Sequence, residues 1–133
     1  MPWGWLALLA VLAVLGASSM AYSIKPGVSG RIRDEMLPVL NVVPLVWRLH
    51  RLGVPTLTSI EDGQHSANSK HYEGLALDWR LDGIAPSLHP QLRSEIAELL
   101  PGFDVIYEYP GAARTAITWP SPVRHLHIEW DPK

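Results

Sequence analysis

Residues 69–78 read SKHYEGLALD and contain His71 seven positions before Asp78. A second histidine-containing stretch, His125-Leu126-His127, lies far downstream. Two histidines and one aspartate brought together would give a zinc ion three N/O ligands and leave a fourth position open to water, as in catalytic zinc sites. Structural zinc sites usually close with four protein ligands, mostly thiolates, and this chain has no cysteine. The motif therefore predicts an open zinc site of the kind that zinc hydrolases use.

Upstream of the motif, residues 34–52 have helical periodicity and Gly53 stands where a helix would stop. Pro44 lies inside this segment and should kink or split the helix, because proline lacks the backbone N–H. The periodic apolar positions are Met36, Leu37, Leu40, Val43 and Trp47.

The remaining segments alternate between strand and helix patterns. We predict a loop over the site at residues 109–124, which contain proline and glycine and have no clear period. We predict strands at 54–60, 75–80, 105–107 and 126–130, and a short amphipathic helix at 90–100. The fold class that follows is α+β: a small, mainly antiparallel sheet with helices on one face, preceded by an N-terminal hydrophobic helix.

Residues 3–20 are almost uninterrupted apolar sequence, with no charge before Lys25. About 20 such residues can span a bilayer, and a cleaved secretory signal is the alternative. We therefore assign residues 1–22 as a signal peptide or membrane anchor and expect an exported domain, periplasmic or extracellular. The positive charges that follow the run favour the opposite orientation, a domain facing the cytoplasm, so that alternative stays open.

The 133 residues leave room for one domain, residues 23–133, which we expect to be monomeric. The formal net charge is −2 and no Lys/Arg cluster is present, which argues against a nucleic-acid partner. Without disulfides, stability must come from packing and from any bound metal.

The pattern S-x-H-x-x-G-x-A-x-D, followed downstream by H-x-H, resembles the zinc D,D-carboxypeptidase and hedgehog superfamily. Residues 62–66, 69–74 and 102–108 look like the hedgehog signalling domain, and residues 125–133 are similar to small phage and bacterial peptidases of this group. The resemblance covers residues 24–133 and implies the same α+β fold.

The resemblance implies that the ligands of one zinc ion are His71, Asp78 and His127. It also implies that Glu108 is the general base that takes a proton from the attacking water. Carboxypeptidases of the superfamily often carry an acid or a histidine three positions before the last ligand, and that position is Arg124 here. This departure removes one candidate for the base and therefore favours Glu108, with Glu129 as the alternative base.

Further site residues follow from the same alignment and from strand geometry. His65 corresponds to a pocket histidine suited to holding a substrate carbonyl or an oxyanion, and His125 could do the same or orient a ligand. Ser69 and Arg80 are candidate substrate-binding residues, as carboxylate binders or supports of the ligands. Trp119 could line a groove.

The function that the sequence predicts is a zinc peptidase acting on bacterial cell-wall stem peptides, as a D,D-carboxypeptidase or an endopeptidase, and we favour a phage-type lytic enzyme. The alternative is a non-catalytic, hedgehog-like binding module that contains zinc. Hedgehog domains also bind calcium, but only Glu61 and Asp62 remain of that acidic cluster, so no calcium site is expected.

Overall fold

The computed structural model describes residues 21–133, which form an α+β fold with one six-stranded mixed sheet and two α-helices. The helices are α1 (Leu37–Leu49) and α2 (His89–Leu99). Short 3₁₀ helices cover Asp34–Met36, Lys70–Glu73 and Pro86–Leu88. The strands are β1 (Ser23–Ile24), β2 (Thr56–Ser59), β3 (Ala76–Arg80), β4 (Phe103–Tyr109), β5 (Thr118–Pro120) and β6 (His125–Trp130).

The strand order is β1-β2-β3-β6-β4-β5. The four central strands pair in an antiparallel manner, and the short outer strands β1 and β5 add in parallel to β2 and β4. The last strand therefore inserts between β3 and β4, which brings the two distant sequence motifs together at the middle of the sheet.

Successive side chains of a strand point to opposite faces of the sheet. One face packs against both helices and forms the core with apolar residues such as Leu77, Trp79, Leu126 and Ile128. The other face carries the intervening residues of the same strands, Asp78 and Arg80 on β3 and His125, His127 and Glu129 on β6. The polar candidates of the sequence therefore share the face away from the helices.

The α+β class is confirmed. The strands predicted at 54–60, 75–80, 105–107 and 126–130 and the helix predicted at 90–100 all occur, with shifted ends. Of the two outcomes predicted for Pro44, a kink or a split, the split is wrong, because α1 is continuous from Leu37 to Leu49 with Pro44 inside it. The predicted loop at 109–124 contains the short strand β5, which sequence periodicity missed.

The predicted N-terminal hydrophobic helix falls on residues 1–20, outside the described residues. Within residues 21–133, no helix is both long enough and apolar enough to cross a membrane.

Candidate metal centre

His71 is positioned by the turn that leads into β3. Ser69 caps the 3₁₀ helix Lys70–Glu73, and its Oγ accepts a hydrogen bond from the His71 backbone N–H at 3.2 Å. Gly74 ends this helix with a left-handed backbone, φ +71°, a conformation that L side chains rarely adopt. The turn directs the chain into β3 and leaves the His71 side chain over the sheet, 1% exposed.

The N-terminal connector holds this turn in place. The Arg33 N–H donates to the Gly74 carbonyl at 3.1 Å, and the Arg31 N–H donates to the Glu61 carboxylate at 2.9 Å. A Cβ at Gly74 would lie 2.5 Å from the Arg31 carbonyl oxygen. Glycine is therefore required here both by the backbone conformation and by the close approach of the connector.

Asp78 and His127 are direct cross-strand partners in the antiparallel pair of β3 and β6. Opposed residues in such a pair have Cβ atoms about 4.5–5.5 Å apart on one face. Both side chains are nearly buried, with 7% of Asp78 and 9% of His127 exposed. The register of β3 and β6 thus places Asp78, from the middle of the sequence, next to His127, which lies near its C-terminal end.

Three atoms converge where His71 meets this pair. His71 Nε2 lies 3.1 Å from Asp78 Oδ1 and 3.1 Å from His127 Nδ1, and His127 Nδ1 lies 2.9 Å from Asp78 Oδ1. The three atoms form a nearly equilateral triangle with one nitrogen or oxygen at each corner.

The other ring nitrogen of each histidine fixes which tautomer points into the triangle. His71 Nδ1 lies 2.6 Å from the Ile60 carbonyl and donates to it, and His127 Nε2 lies 2.9 Å from a Glu129 carboxylate oxygen and donates likewise. In their neutral forms both rings therefore present a lone pair to Asp78, whose carboxylate also carries only lone pairs. Three acceptors at these distances need a cation among them, either a proton or a metal ion.

A proton on His127 can take this place. Burial opposes a charge on His127, but hydrogen bonds to Asp78 and Glu129 outweigh it and raise the pKa of His127 to about 10. Burial likewise opposes ionisation of Asp78, yet hydrogen bonds from His127 and His71 hold the pKa of this carboxyl well below its usual range. Asp78 is thus ionised and His127 protonated at neutral pH, with the proton on an atom that a metal would use.

The triangle also fits a tetrahedral metal ion. Zinc binds histidine nitrogen and carboxylate oxygen at about 2.0–2.2 Å, which separates two tetrahedral ligand atoms by about 3.3–3.5 Å. The observed separations of 2.9–3.1 Å are only slightly shorter and need little movement to open. Ile60 and Glu129 supply the outer hydrogen bonds that usually orient metal-bound histidines.

His65 forms a second possible ligand set. His65, His71 and Asp78 each offer a ligand atom within 4.8 Å of the other two, so this group could hold a metal ion. However, the His65 ring stacks on His71 with a centroid separation of 3.9 Å and an interplanar angle of 10°. Ring lone pairs lie in the ring plane, so two parallel rings do not direct them at one point. His127 Nδ1 therefore faces His71 Nε2 and Asp78 Oδ1 more directly than His65 does, and the His65 ring stacks on the ring of His71.

Glu108 and His125 form a pair beside the triangle. His125 Nε2 lies 2.5 Å from Glu108 Oε2, and Glu108 Oε1 faces His127 Nδ1 at 3.9 Å. Burial works against a charge on His125, but its bond to Glu108 and the nearby Asp78 raise its pKa above the ordinary value. Glu108 thus has one oxygen held by a histidine and one directed at the ligand atoms.

Glu129, the rival candidate for the base, has a different environment. Its carboxylate accepts the His127 Nε2 hydrogen at 2.9 Å, on the side of the ring away from Asp78. This geometry suits an orienting role for Glu129 and leaves Glu108 nearer to the ligand atoms.

The remaining predicted residues lie around the same site. Ser69 supports the His71 backbone, and Arg80 is exposed on β3 opposite His125. Trp119 is paired in register with Glu108, 38% exposed, with the Arg114 guanidinium stacked 4.1 Å from its ring centroid.

Sequence reasoning missed one contributor to the site and one buried polar group in the core. The Ile60 carbonyl, which fixes the His71 tautomer, is a backbone group and leaves no signal in residue type. The buried polar group is His89, which begins α2, is 1% exposed and lies between the Tyr107 hydroxyl and the Ile84 carbonyl, each at 2.9 Å. Arg124 donates to the same hydroxyl at 2.6 Å, so this group ties α2 to β4 and to the start of β6.

Comparison with known proteins gives no relative. No family model matches the chain, and neither a curated protein nor a solved structure matches it significantly.

Proposed function

We propose that the chain is a zinc-dependent peptidase that hydrolyses peptide bonds of bacterial cell-wall stem peptides. The observation that carries the proposal is the triangle of His71 Nε2, Asp78 Oδ1 and His127 Nδ1, with separations of 2.9–3.1 Å and a Glu–His pair directly beside it. Three ligands of this type leave a coordination position for water, which distinguishes catalytic from structural zinc sites. The substrate class rests on the resemblance of the motif to the D,D-carboxypeptidase and hedgehog superfamily.

Each residue of the site has its own role in the proposed reaction. One zinc ion held by His71, Asp78 and His127 would lower the pKa of a bound water to about 7 and polarise the scissile carbonyl. Glu108 acts as the base that accepts a proton from the attacking water, and His125 holds its carboxylate in place. His125 and His65 are the candidate donors to negative charge that develops on the substrate oxygen.

Residues 1–22 complete the proposal by delivering the domain to the peptidoglycan as a signal or anchor. Fractionation of cells that express the full chain tests this directly. Recovery in the membrane or outside the cytoplasm supports it, and a soluble cytoplasmic product contradicts it.

The experiment that tests the function incubates the full chain with defined muropeptides, with and without a chelator, and weighs the products by mass spectrometry. We expect zinc-dependent cleavage and a loss of about 100- to 10,000-fold in rate for Glu108→Gln, because that variant loses the general base. Zinc content should be unchanged in Glu108→Gln.

Glu129→Gln is the matched control, since glutamine keeps an oxygen that can accept the His127 Nε2 hydrogen. We expect it to lose far less activity than Glu108→Gln. A larger loss for Glu129→Gln would contradict the assignment of the base. A wild-type chain that binds zinc but cleaves no muropeptide would favour the alternative, a non-catalytic zinc-containing binding module.

A further inference from the structure

The end of the sheet at which β1 begins is also where residues 1–20 join the domain. Strands β2 and β6 lie on the two sides of β3 and both run antiparallel to it, so both begin at one end of the sheet. Strand β1 begins at this same end, because it pairs in parallel with β2, and the Ser23 N–H donates to the Pro55 carbonyl at 2.9 Å. We call this end, formed by residues 48–55, 80–90 and 120–125, the entry end.

Helix α1 also ends at the entry end. Its start is held at the opposite end, where the Arg33 N–H donates to the carbonyl of Gly74 just before β3. The 13 residues of the helix correspond to about 20 Å. Leu49, the last residue of the helix, is therefore carried to the end where β2 begins.

The entry end carries exposed apolar side chains. Among residues 21–133, the three most exposed large apolar side chains are Leu49 at 60%, Val54 at 57% and Val123 at 57%. Val54 and Val123 each stand two residues before a strand, β2 and β6 respectively. These two strands are two spacings of the sheet apart, which is about 10 Å. Three apolar side chains thus project into solvent from one end of the domain.

The charged residues are divided unevenly between the two ends of the sheet. The entry end contains four arginines and one acidic residue, which are Arg48, Arg51, Arg80, Arg124 and Asp82. The segments at the opposite end, residues 26–36, 60–75, 98–104 and 129–133, contain nine acidic and four basic residues. The formal net charge of the chain is −2, so the basic character of the entry end is local.

The length of the connection decides which surface of the domain a membrane would meet. The apolar run of residues 3–20, which is long enough to enter a bilayer, ends three residues before β1. Three residues of extended chain span at most about 11 Å. The polar layer on each side of the hydrocarbon core is about 5–8 Å thick. A bilayer entered by this run would therefore lie against the entry end of the domain.

We propose that the entry end is a membrane-contact face that binds a surface of anionic phospholipids. Leu49, Val54 and Val123 insert among the headgroups, and Arg51 binds the lipid phosphates. Basic side chains beside a membrane segment are attracted to anionic headgroups, and apolar side chains add burial in the headgroup layer. The inference rests on the proposed role of residues 1–22 as an anchor, and it assigns the surface of the domain that the anchor brings to the bilayer.

The test uses the absence of cysteine, because each single-cysteine variant then carries one label. The full chain is reconstituted into vesicles of phosphatidylcholine and phosphatidylglycerol that contain a lipid with a nitroxide headgroup. A fluorophore is attached at Leu49→Cys, Val54→Cys or Leu37→Cys. We expect loss of fluorescence at the first two positions and unchanged fluorescence at Leu37→Cys, the matched control, which is 52% exposed at the opposite end of the same helix.

Arg51→Gln, with the label at Val54→Cys, tests the contribution of charge. We expect the ratio of quenched to unquenched chains to fall about fivefold, the usual contribution of one basic side chain near an anionic membrane. Lys133→Gln is the control, since it removes a positive charge that is 81% exposed at the opposite end and should keep the original ratio. Vesicles of phosphatidylcholine alone should lower the ratio further than Arg51→Gln does.

The outcomes separate this inference from the other proposals. Chains that stay with the vesicles but lose no fluorescence at Leu49→Cys and Val54→Cys, or lose it equally at all three positions, would overturn the inference and leave the anchor role standing. A full chain that does not associate with vesicles would overturn both. A label at Leu49→Cys or Val54→Cys that emits as in an apolar environment yet escapes the quencher would also overturn the inference, because a second copy of the chain or residues 1–20 would then cover this face. None of these results depends on peptide cleavage.

Discussion

At the scale of single residues, the two hydrogen-bond partners of His127 control whether its ring carries a proton. Its Nδ1 is held 2.9 Å from Asp78 and its Nε2 is held 2.9 Å from Glu129, so both ring nitrogens face carboxylates. These two partners raise the pKa of His127 to about 10 against the effect of burial. A metal at this centre must displace a proton from Nδ1, and metal binding is therefore linked to pH.

We predict that zinc binding releases nearly two protons per chain at pH 8: one from His127, which is protonated below its pKa of about 10, and most of one from the zinc-bound water, whose pKa would be about 7. Asp78 is already ionised and contributes none. The apparent affinity should rise by more than about tenfold per pH unit between pH 7 and pH 9. Calorimetric titration in two buffers of different ionisation enthalpy measures the protons released. Release of one proton or fewer would mean that Nδ1 of His127 is not the ligand atom.

At the scale of elements, the turn between His71 and β3 depends on Gly74. We predict that Gly74→Ala lowers the free energy of unfolding by at least about 1–3 kcal/mol, because alanine is strained at φ +71° and its Cβ would collide with the Arg31 carbonyl. Urea denaturation measures the change.

Gly83→Ala is the matched control for this variant. Gly83 has a similar φ of +87° but nothing within 4 Å of the Cβ position, so its substitution adds strain without the collision. An equal loss of unfolding free energy in the two variants would show that the collision with the Arg31 carbonyl adds nothing to the effect of Gly74→Ala.

The buried link between α2 and β4 should make stability depend on pH. Burial lowers the pKa of His89 below its ordinary value of 6.5, against the opposing effect of the Ile84 carbonyl. The unfolded chain therefore takes up a proton at a higher pH than the folded chain. The stabilisation is complete above pH 6.5 and is lost as the pH falls through the lowered pKa, by at most about 1.4 kcal/mol per pH unit.

We predict that the stability advantage of the wild-type chain over His89→Gln shrinks between pH 7.5 and pH 5.5, since glutamine does not titrate. Urea unfolding of both proteins at the two pH values measures this, and the subtraction cancels the titration of other histidines. An advantage that stays constant or grows towards pH 5.5 would contradict the neutral, buried state of His89.

The elements that sequence alone predicted are those with a strong local pattern. Strand β3 and helix α2 follow from alternation and helical spacing, whereas β1 and β5 comprise two and three residues and exist only through parallel pairing with distant strands. Pro44 lacks a backbone N–H, which favours a break in the helix. It is nevertheless buried within α1, where tertiary packing stabilises the helix.

At the scale of the whole molecule, the ligand residues could be predicted from the sequence, whereas the groups that hydrogen-bond to them or stack on them could not. His71 and Asp78 lie within one short motif, and alternation alone put His125 and His127 on one face. The choice of His127 as the ligand depended on resemblance, and the geometry that supports it depends on β6 entering between β3 and β4. The supporting Ile60 carbonyl and the stacking of His65 on His71 arise from the tertiary fold and have no local signature.

The most direct measurement is the zinc content of the full chain and of two single variants, by equilibrium dialysis and atomic emission. We predict one zinc ion per chain for the wild-type protein and for His65→Ala, and loss of the zinc in His127→Ala. Zinc retained in His127→Ala but lost in His65→Ala would contradict the His71, Asp78 and His127 centre and move the metal to the set that includes His65.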